Sequence, residues 1–167
     1  EIGKALGARV IAAASSDSKL KVCREHGADE AINYETDNLR ERIKKLTDGK
    51  GVDVVYDPVG GTYSEPALRS VAWRGRFLVV GFASGTIPSI PLNLALLKGL
   101  SISGVFWGDH IKREPQKNAA DLAELLRLLK AGALKPLISE RYPFERVADA
   151  LNSVMQRKAV GKIVLIP

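Results

Sequence analysis

Short apolar runs of strand length alternate with helix-length amphipathic segments along nearly all of this 167-residue chain, which restricts the fold more than any other feature. The run at 9–14, bounded by Gly7 and by Ser15-Ser16-Asp17, predicts a buried strand. Ser16 or Asp17 can cap a helix through Lys19, Leu20, Val22 and Cys23 that closes near Gly27. Residues 31–34 predict a second strand, and Leu39, Ile43 and Leu46 repeat at i, i+4, i+7 on a helix ended by Asp48-Gly49. A third strand is expected at 52–57, turning out through Pro58-Val59-Gly60-Gly61. A helix over 65–72, a strand over 75–81, a loop over 83–91, a short helix over 94–97 and a strand over 100–106 follow. The strongest helical pattern, 116–130, places Leu122, Leu125, Leu126 and Leu129 on one stripe. A strand at 137–138, a helix at 145–155 and a strand at 162–166 complete the series.

This order implies βαβ units, hence an α/β fold with a doubly wound, Rossmann-like parallel sheet. In such sheets ligands bind outside the carboxyl ends of the strands. The segments to search are therefore Ser15-Ser16, Tyr34, Asp57-Pro58-Val59, Gly81-Phe82-Ala83 and Val105-Phe106-Trp107.

Composition narrows the function classes. A single cysteine, Cys23, excludes an internal disulfide framework and a multi-cysteine zinc site. His26 and His110 lie far apart in sequence and lack ligand spacing, so no metal site is expected. No apolar run reaches the ~20 residues of a membrane span. The net charge of +6 is spread over faces where acids interleave, as at 39–46, and reads as solvated helix surface rather than a nucleic-acid stripe. Glu1-Ile2-Gly3-Lys4 is neither a start methionine nor a signal peptide, and a chain cut from a longer protein is the expectation.

The order and spacing of Ala14-Ser15-Ser16-Asp17-Ser18-Lys19, Gly27-Ala28-Asp29, Ile32-Asn33-Tyr34, Tyr56-Asp57-Pro58-Val59-Gly60-Gly61, Gly75-Arg76, residues 80–85 and Gly161-Lys162-Ile163-Val164-Leu165 resemble the medium-chain dehydrogenase/reductase superfamily. Within it the resemblance is to the zinc-independent quinone oxidoreductase family related to zeta-crystallin, and it covers essentially the whole chain. The family opens its nucleotide domain with a strand and a glycine-rich turn that leads into a helix. Here residues 2–7 look like the end of that helix, and no GxGxxG-type turn occurs. In the 3-2-1-4-5-6 strand order, strand 1 is central. Its absence predicts open edges on the strands at 9–14 and 52–57. The resemblance divides the chain into a truncated NADPH-binding Rossmann domain, 1–135, and a segment, 136–167, returning towards a substrate-binding domain.

The resemblance also implies a cofactor. A dinucleotide fold specific for NAD places an acid at the tip of its second strand. Here that tip reads Ala14-Ser15-Ser16, with Lys19 one helical turn on, and hydroxyls plus an ammonium suit a 2′-phosphate. Related NADPH reductases carry matching residues at Ser15, Ser16, Lys19 and Tyr34, so NADPH is expected over NADH. Asp17 reads either as a helix cap or as a ribose ligand; Lys19 and Tyr34 read alternatively as a solvated lysine and a packing residue. Gly81, Phe82 and Ala83 are expected near the nicotinamide ribose, where a plain glycine turn is the other reading. Val105, Phe106 and Trp107 are expected near the carboxamide, or else in the core or a dimer contact. Val59 flanks the adenine side or packs under its turn. Arg157 matches an arginine near the cofactor in some relatives, or is a solvated helix end.

The implied parent protein reduces quinones or α,β-unsaturated carbonyls with NADPH, without zinc, in the cytoplasm. The isolated chain is expected to be inactive, and no catalytic residue is assigned. A homodimer is expected through the edge strand that starts at Leu100 and ends at Gly104. The competing readings are an NAD-dependent alcohol dehydrogenase and a nucleic-acid-binding or crystallin-like structural protein.

Overall fold

The computed structural model of the chain describes residues 1–156 and 159–167. A short helix α1 (Ile2–Ala5) leads into β1 (Ile11–Ala14), α2 (Asp17–Glu25), β2 (Glu30–Asn33), α3 (Leu39–Leu46) and β3 (Val52–Asp57). A 3-10 turn then precedes α4 (Ser64–Arg69), β4 (Val71–Val79), α5 (Asn93–Lys98), β5 (Ser101–Gly104), α6 (Trp107–Arg113) and α7 (Pro115–Lys130). The chain closes with β6 (Ile138–Pro143), α8 (Val147–Met155) and β7 (Lys162–Ile166). Strand and helix alternate as their apolar spacing requires, and every strand pairing is parallel.

The parallel sheet comes in blocks: β1 with β2, β3-β4-β5, and β6 with β7. Among the described residues β1 pairs only with β2 and β3 only with β4, so each keeps one open edge. A cleft of about 1030 Å³ lies between these blocks, lined by Ile11, Ala12 and Ala13 on one wall and by all of Val52–Asp57 on the other. The interruption falls where the sequence predicts open edges.

A compact core seats the larger block. Leu68 and Val71 are wholly buried and pack with Ala67, Phe77, Leu94 and Leu100, so α4 and α5 cover β4. Lys98 ends α5 by donating from Nζ to the carbonyls of Arg69 and Val71, which satisfies acceptors at and just past the end of α4. The smaller block is fixed at its base by Asp29, whose carboxylate accepts from the Val10 backbone N–H at 2.7 Å and from Lys4 Nζ at 2.8 Å.

Two element bounds differ from the sequence expectation. The helix expected to reach residue 72 stops at Arg69, and β4 starts at Val71, because Val52 pairs with Val71 and Val54 with Arg76. Residues 72–75 bulge between those pairings, with Arg74 at φ +58°, and this local break imitates a helix end followed by a new strand. The strand expected over 100–106 shrinks to Ser101–Gly104, and a helix, α6, begins at Trp107. On α7 it is Leu128 that is buried, whereas Leu122, Leu126 and Leu129 stay exposed. Periodicity marks an apolar stripe but does not say whether this chain covers it.

Candidate functional site

The tip of β1 gathers hydroxyls around an ammonium. Ser16 is the N-cap of α2, its Oγ accepting from the Lys19 backbone N–H at 3.4 Å. The Lys19 side chain turns back along the first helical turn, and its Nζ lies 3.4 Å from Ser15 Oγ. Ser18 Oγ adds a third hydroxyl, 3.0 Å from Ser16 Oγ. Tyr34 stands beside this cluster because its backbone N–H continues the β1–β2 ladder to the Ala14 carbonyl at 3.1 Å. Ser15, Ser16, Lys19 and Tyr34 are thus brought together. Asp17 is the first residue of α2 rather than its cap, and its Oδ1 accepts from Asn33 Nδ2 at 2.9 Å.

The ends of β3 and β4 form an interlocked pair of loops. Asp57 Oδ1 accepts the backbone N–H groups of Val59 and Gly60, at 2.9 and 3.0 Å, while its Oδ2 accepts from the buried Ser64 hydroxyl at 2.6 Å. The turn so fixed supports the next loop: Ala83 N–H donates to the Pro58 carbonyl at 3.1 Å and Ser84 N–H to that of Val59 at 2.8 Å. Gly81 N–H reaches the Asp57 carbonyl at 3.4 Å, and Gly61 N–H donates to Thr86 at 3.0 Å. Val59, Gly81, Phe82 and Ala83 therefore share one rim. Val105 donates its N–H to the Val79 carbonyl at 2.8 Å, while Phe106 and Trp107 project exposed rings, Trp107 lying 5.2 Å from the His110 ring. All three groups lie at carboxyl ends of strands. Arg157 lies outside the described residues.

Tyr63 and Glu35 escaped the sequence reading. The Tyr63 ring centroid lies 4.4 Å from that of Tyr34, tilted by 45°, and its hydroxyl donates to Glu35 Oε1 at 2.8 Å. Both tyrosines line the cleft between the blocks. Nothing in periodicity marks a residue of a 3-10 turn, so Tyr63 carries no signal. The Asp57 clamp does carry one, since an Asp two residues before an N–H at a Pro-Val-Gly turn is the pattern of an Asx-turn.

A family model described as zinc-binding dehydrogenase matches residues 1–130. The chain belongs to the zinc-binding dehydrogenase family. A bovine relative, quinone oxidoreductase-like protein 2, is 43% identical over 160 residues, 96% of this chain and 46% of its own length. The structure of Escherichia coli quinone oxidoreductase complexed with NADPH superposes with a TM-score of 0.86 at 31% identity, covering 99% of this chain and 52% of that one. A crystal structure of an NAD-dependent alcohol dehydrogenase superposes equally, at 0.86 and 33% identity, with 99% of this chain and 46% of that one covered. The resemblance to medium-chain quinone oxidoreductases and the α/β Rossmann-like class both stand. The chain spans about half the length of the curated relatives it matches.

The family's description raises zinc as a ligand, and zinc requires several Cys, His or carboxylate donors converging on one point. Cys23 is half-buried within α2, His26 pairs with Glu1 at 2.7 Å, and His110 faces Asp121 at 3.1 Å. Among the described residues no group of three or more His, Cys, Asp or Glu is placed to hold a metal. Among the described residues these donors do not fit a zinc centre. Among the same residues no helix is long and apolar enough to cross a membrane.

Proposed function

We propose that this chain is the cofactor-binding part of an NADPH-dependent oxidoreductase that reduces quinones or α,β-unsaturated carbonyls. The carrying observation is the cluster at the start of α2, where Lys19 Nζ and the Ser15 and Ser16 hydroxyls converge on one helix N-terminus. An ammonium, hydroxyl donors and the positive end of a helix favour a phosphate there. Tyr34 borders the same place. Asp17, the one acid within that turn, is engaged by Asn33, which supports the phosphate reading over an acid binding a ribose 2′-hydroxyl.

NADPH, when bound, supplies a hydride. The chain's own part is to hold and orient: Ser15, Ser16, Lys19 and Tyr34 take the 2′-phosphate, Val59 borders the adenine side, Gly81, Phe82 and Ala83 the nicotinamide ribose, and Val105, Phe106 and Trp107 the carboxamide. The reaction proceeds without zinc. Residues 1–135 act as the NADPH-binding unit, and 136–167 lead back to a substrate-binding domain. The protein works in the cytoplasm as a homodimer paired along β5, whose four residues are all exposed. The 167-residue chain alone does not turn over quinones.

Titration of tryptophan fluorescence in the full chain tests the cofactor. NADPH is expected to bind at least about tenfold tighter than NADH, and Lys19→Ala to remove most of that preference, as loss of a charge-assisted bond requires. Equal affinities in the wild type, or an unchanged preference in the variant, overturn the proposal.

A further inference from the structure

We infer that Tyr63 is a positioning residue that sets cofactor selectivity, by fixing the Tyr34 ring and holding the Glu35 carboxylate away from an incoming phosphate; this rests on the 2′-phosphate reading above. Glu35 follows Tyr34 directly, at the strand end that borders the Ser15, Ser16 and Lys19 cluster. A carboxylate free to swing towards that cluster opposes a dianion electrostatically, and it offers Lys19 a competing partner. The Tyr63 hydroxyl takes up Glu35 Oε1 at 2.8 Å, and the same side chain packs its ring 4.4 Å from Tyr34. One residue thus governs both neighbours. Its counterpart is Asn33, which engages Asp17 at 2.9 Å. The two acids flanking the cluster are each held by a neutral donor, which fixes where their carboxylates sit.

Tyr63 itself comes from a different part of the chain. The 3-10 turn Gly61–Tyr63 is placed by the Asp57 clamp, so the spacing between the tyrosines is set across the cleft between the two blocks. Tyr63 is assigned a positioning role through Tyr34 and Glu35, not a contact with the phosphate.

The probes are adenosine 2′,5′-bisphosphate and adenosine 5′-monophosphate, titrated into the full chain and into Tyr63→Ala, Tyr63→Phe and Tyr63→Phe/Glu35→Gln. The quantity read is the ratio of the two affinities, which a general loss of structure does not move, because both nucleotides then weaken together. The wild type is expected to prefer the bisphosphate. Tyr63→Phe, which keeps the ring but frees the carboxylate, narrows the ratio by about threefold to tenfold. Tyr63→Ala narrows it further, and adding Glu35→Gln to Tyr63→Phe restores it. A wild type without preference overturns the 2′-phosphate reading, and this inference with it. A wild-type preference that survives unchanged in both Tyr63→Phe and Tyr63→Ala overturns the inference alone. Failure of Glu35→Gln to restore the ratio overturns the electrostatic half.

Discussion

Gly60 sits at φ +71°, ψ −155°, a backbone conformation essentially reserved for glycine. A Cβ there would lie 2.9 Å from the Phe82 ring and 3.2 Å from the Thr86 carbonyl, so the position is closed both by backbone strain and by the neighbouring loop. Gly60→Ala is expected to cost about 1–3 kcal/mol of stability. Because the displaced neighbour is Phe82, the variant should also loosen the loop at 81–86. Urea denaturation reads the first effect and amide exchange at Ala83 and Ser84 the second; unchanged protection at both amides would contradict the interlock. The Pro58-Val59-Gly60-Gly61 turn was legible in the sequence, since Pro and Gly punctuate it. That Phe82 presses on Gly60 was not, because the contact joins two loops through the packing of β3 against β4.

The block of β1, β2 and α1 depends on a clamp at the element scale. Asp29 stands just before β2, yet it accepts from Val10 just before β1 and from Lys4 within α1. The hydrogen bond from Lys4, then that from Val10, holds its carboxyl below the usual range. A group with a depressed folded pKa contributes stability above its unfolded value, near 3.9, and loses that contribution as pH falls through the folded value. Asp29→Asn is therefore expected to melt below the wild type at pH 7, with the difference closing below about pH 4. Thermal melts at pH 7, 5 and 3 check this, and a gap that stays constant across the three would refute it. The Gly27-Ala28-Asp29 segment was visible as a helix end, but the sequence could not say that its acid ties two strands and a helix.

At the scale of the whole molecule, two parallel blocks stand apart across an apolar-walled cleft, and β1 and β3 each expose unpaired backbone groups to it. Large apolar side chains are uncovered elsewhere as well: Leu92, Leu96 and Met155 are each about four-fifths exposed, and Leu122, Leu126 and Leu129 line the outside of α7. Open strand edges and contiguous apolar surface drive association. The 167-residue chain is expected to self-associate between micromolar concentration and about 100 μM, with sedimentation velocity showing a rising mean mass. A single monomeric boundary throughout would refute it. Against this, one long-range tie holds the first residue: Glu1 Oε1 accepts from the Lys135 backbone N–H at 3.1 Å and meets His26 Nδ1 at 2.7 Å. Burial works to raise the Glu1 carboxyl, but these partners outweigh it and hold it below its ordinary range.

The sequence by itself determined the order and kind of nearly every element, the parallel α/β class and the places where loops leave strands. Those properties follow from local period, turn chemistry and chain chirality, which neighbours in sequence carry. Tertiary structure alone decided which apolar faces are covered, as Leu128 against Leu126 illustrates. It likewise decided that β4 bulges at 72–75, and that Tyr63 meets Tyr34 across a cleft. Each of these depends on what lies opposite in space, and a pattern read along one chain holds no record of its opposite wall.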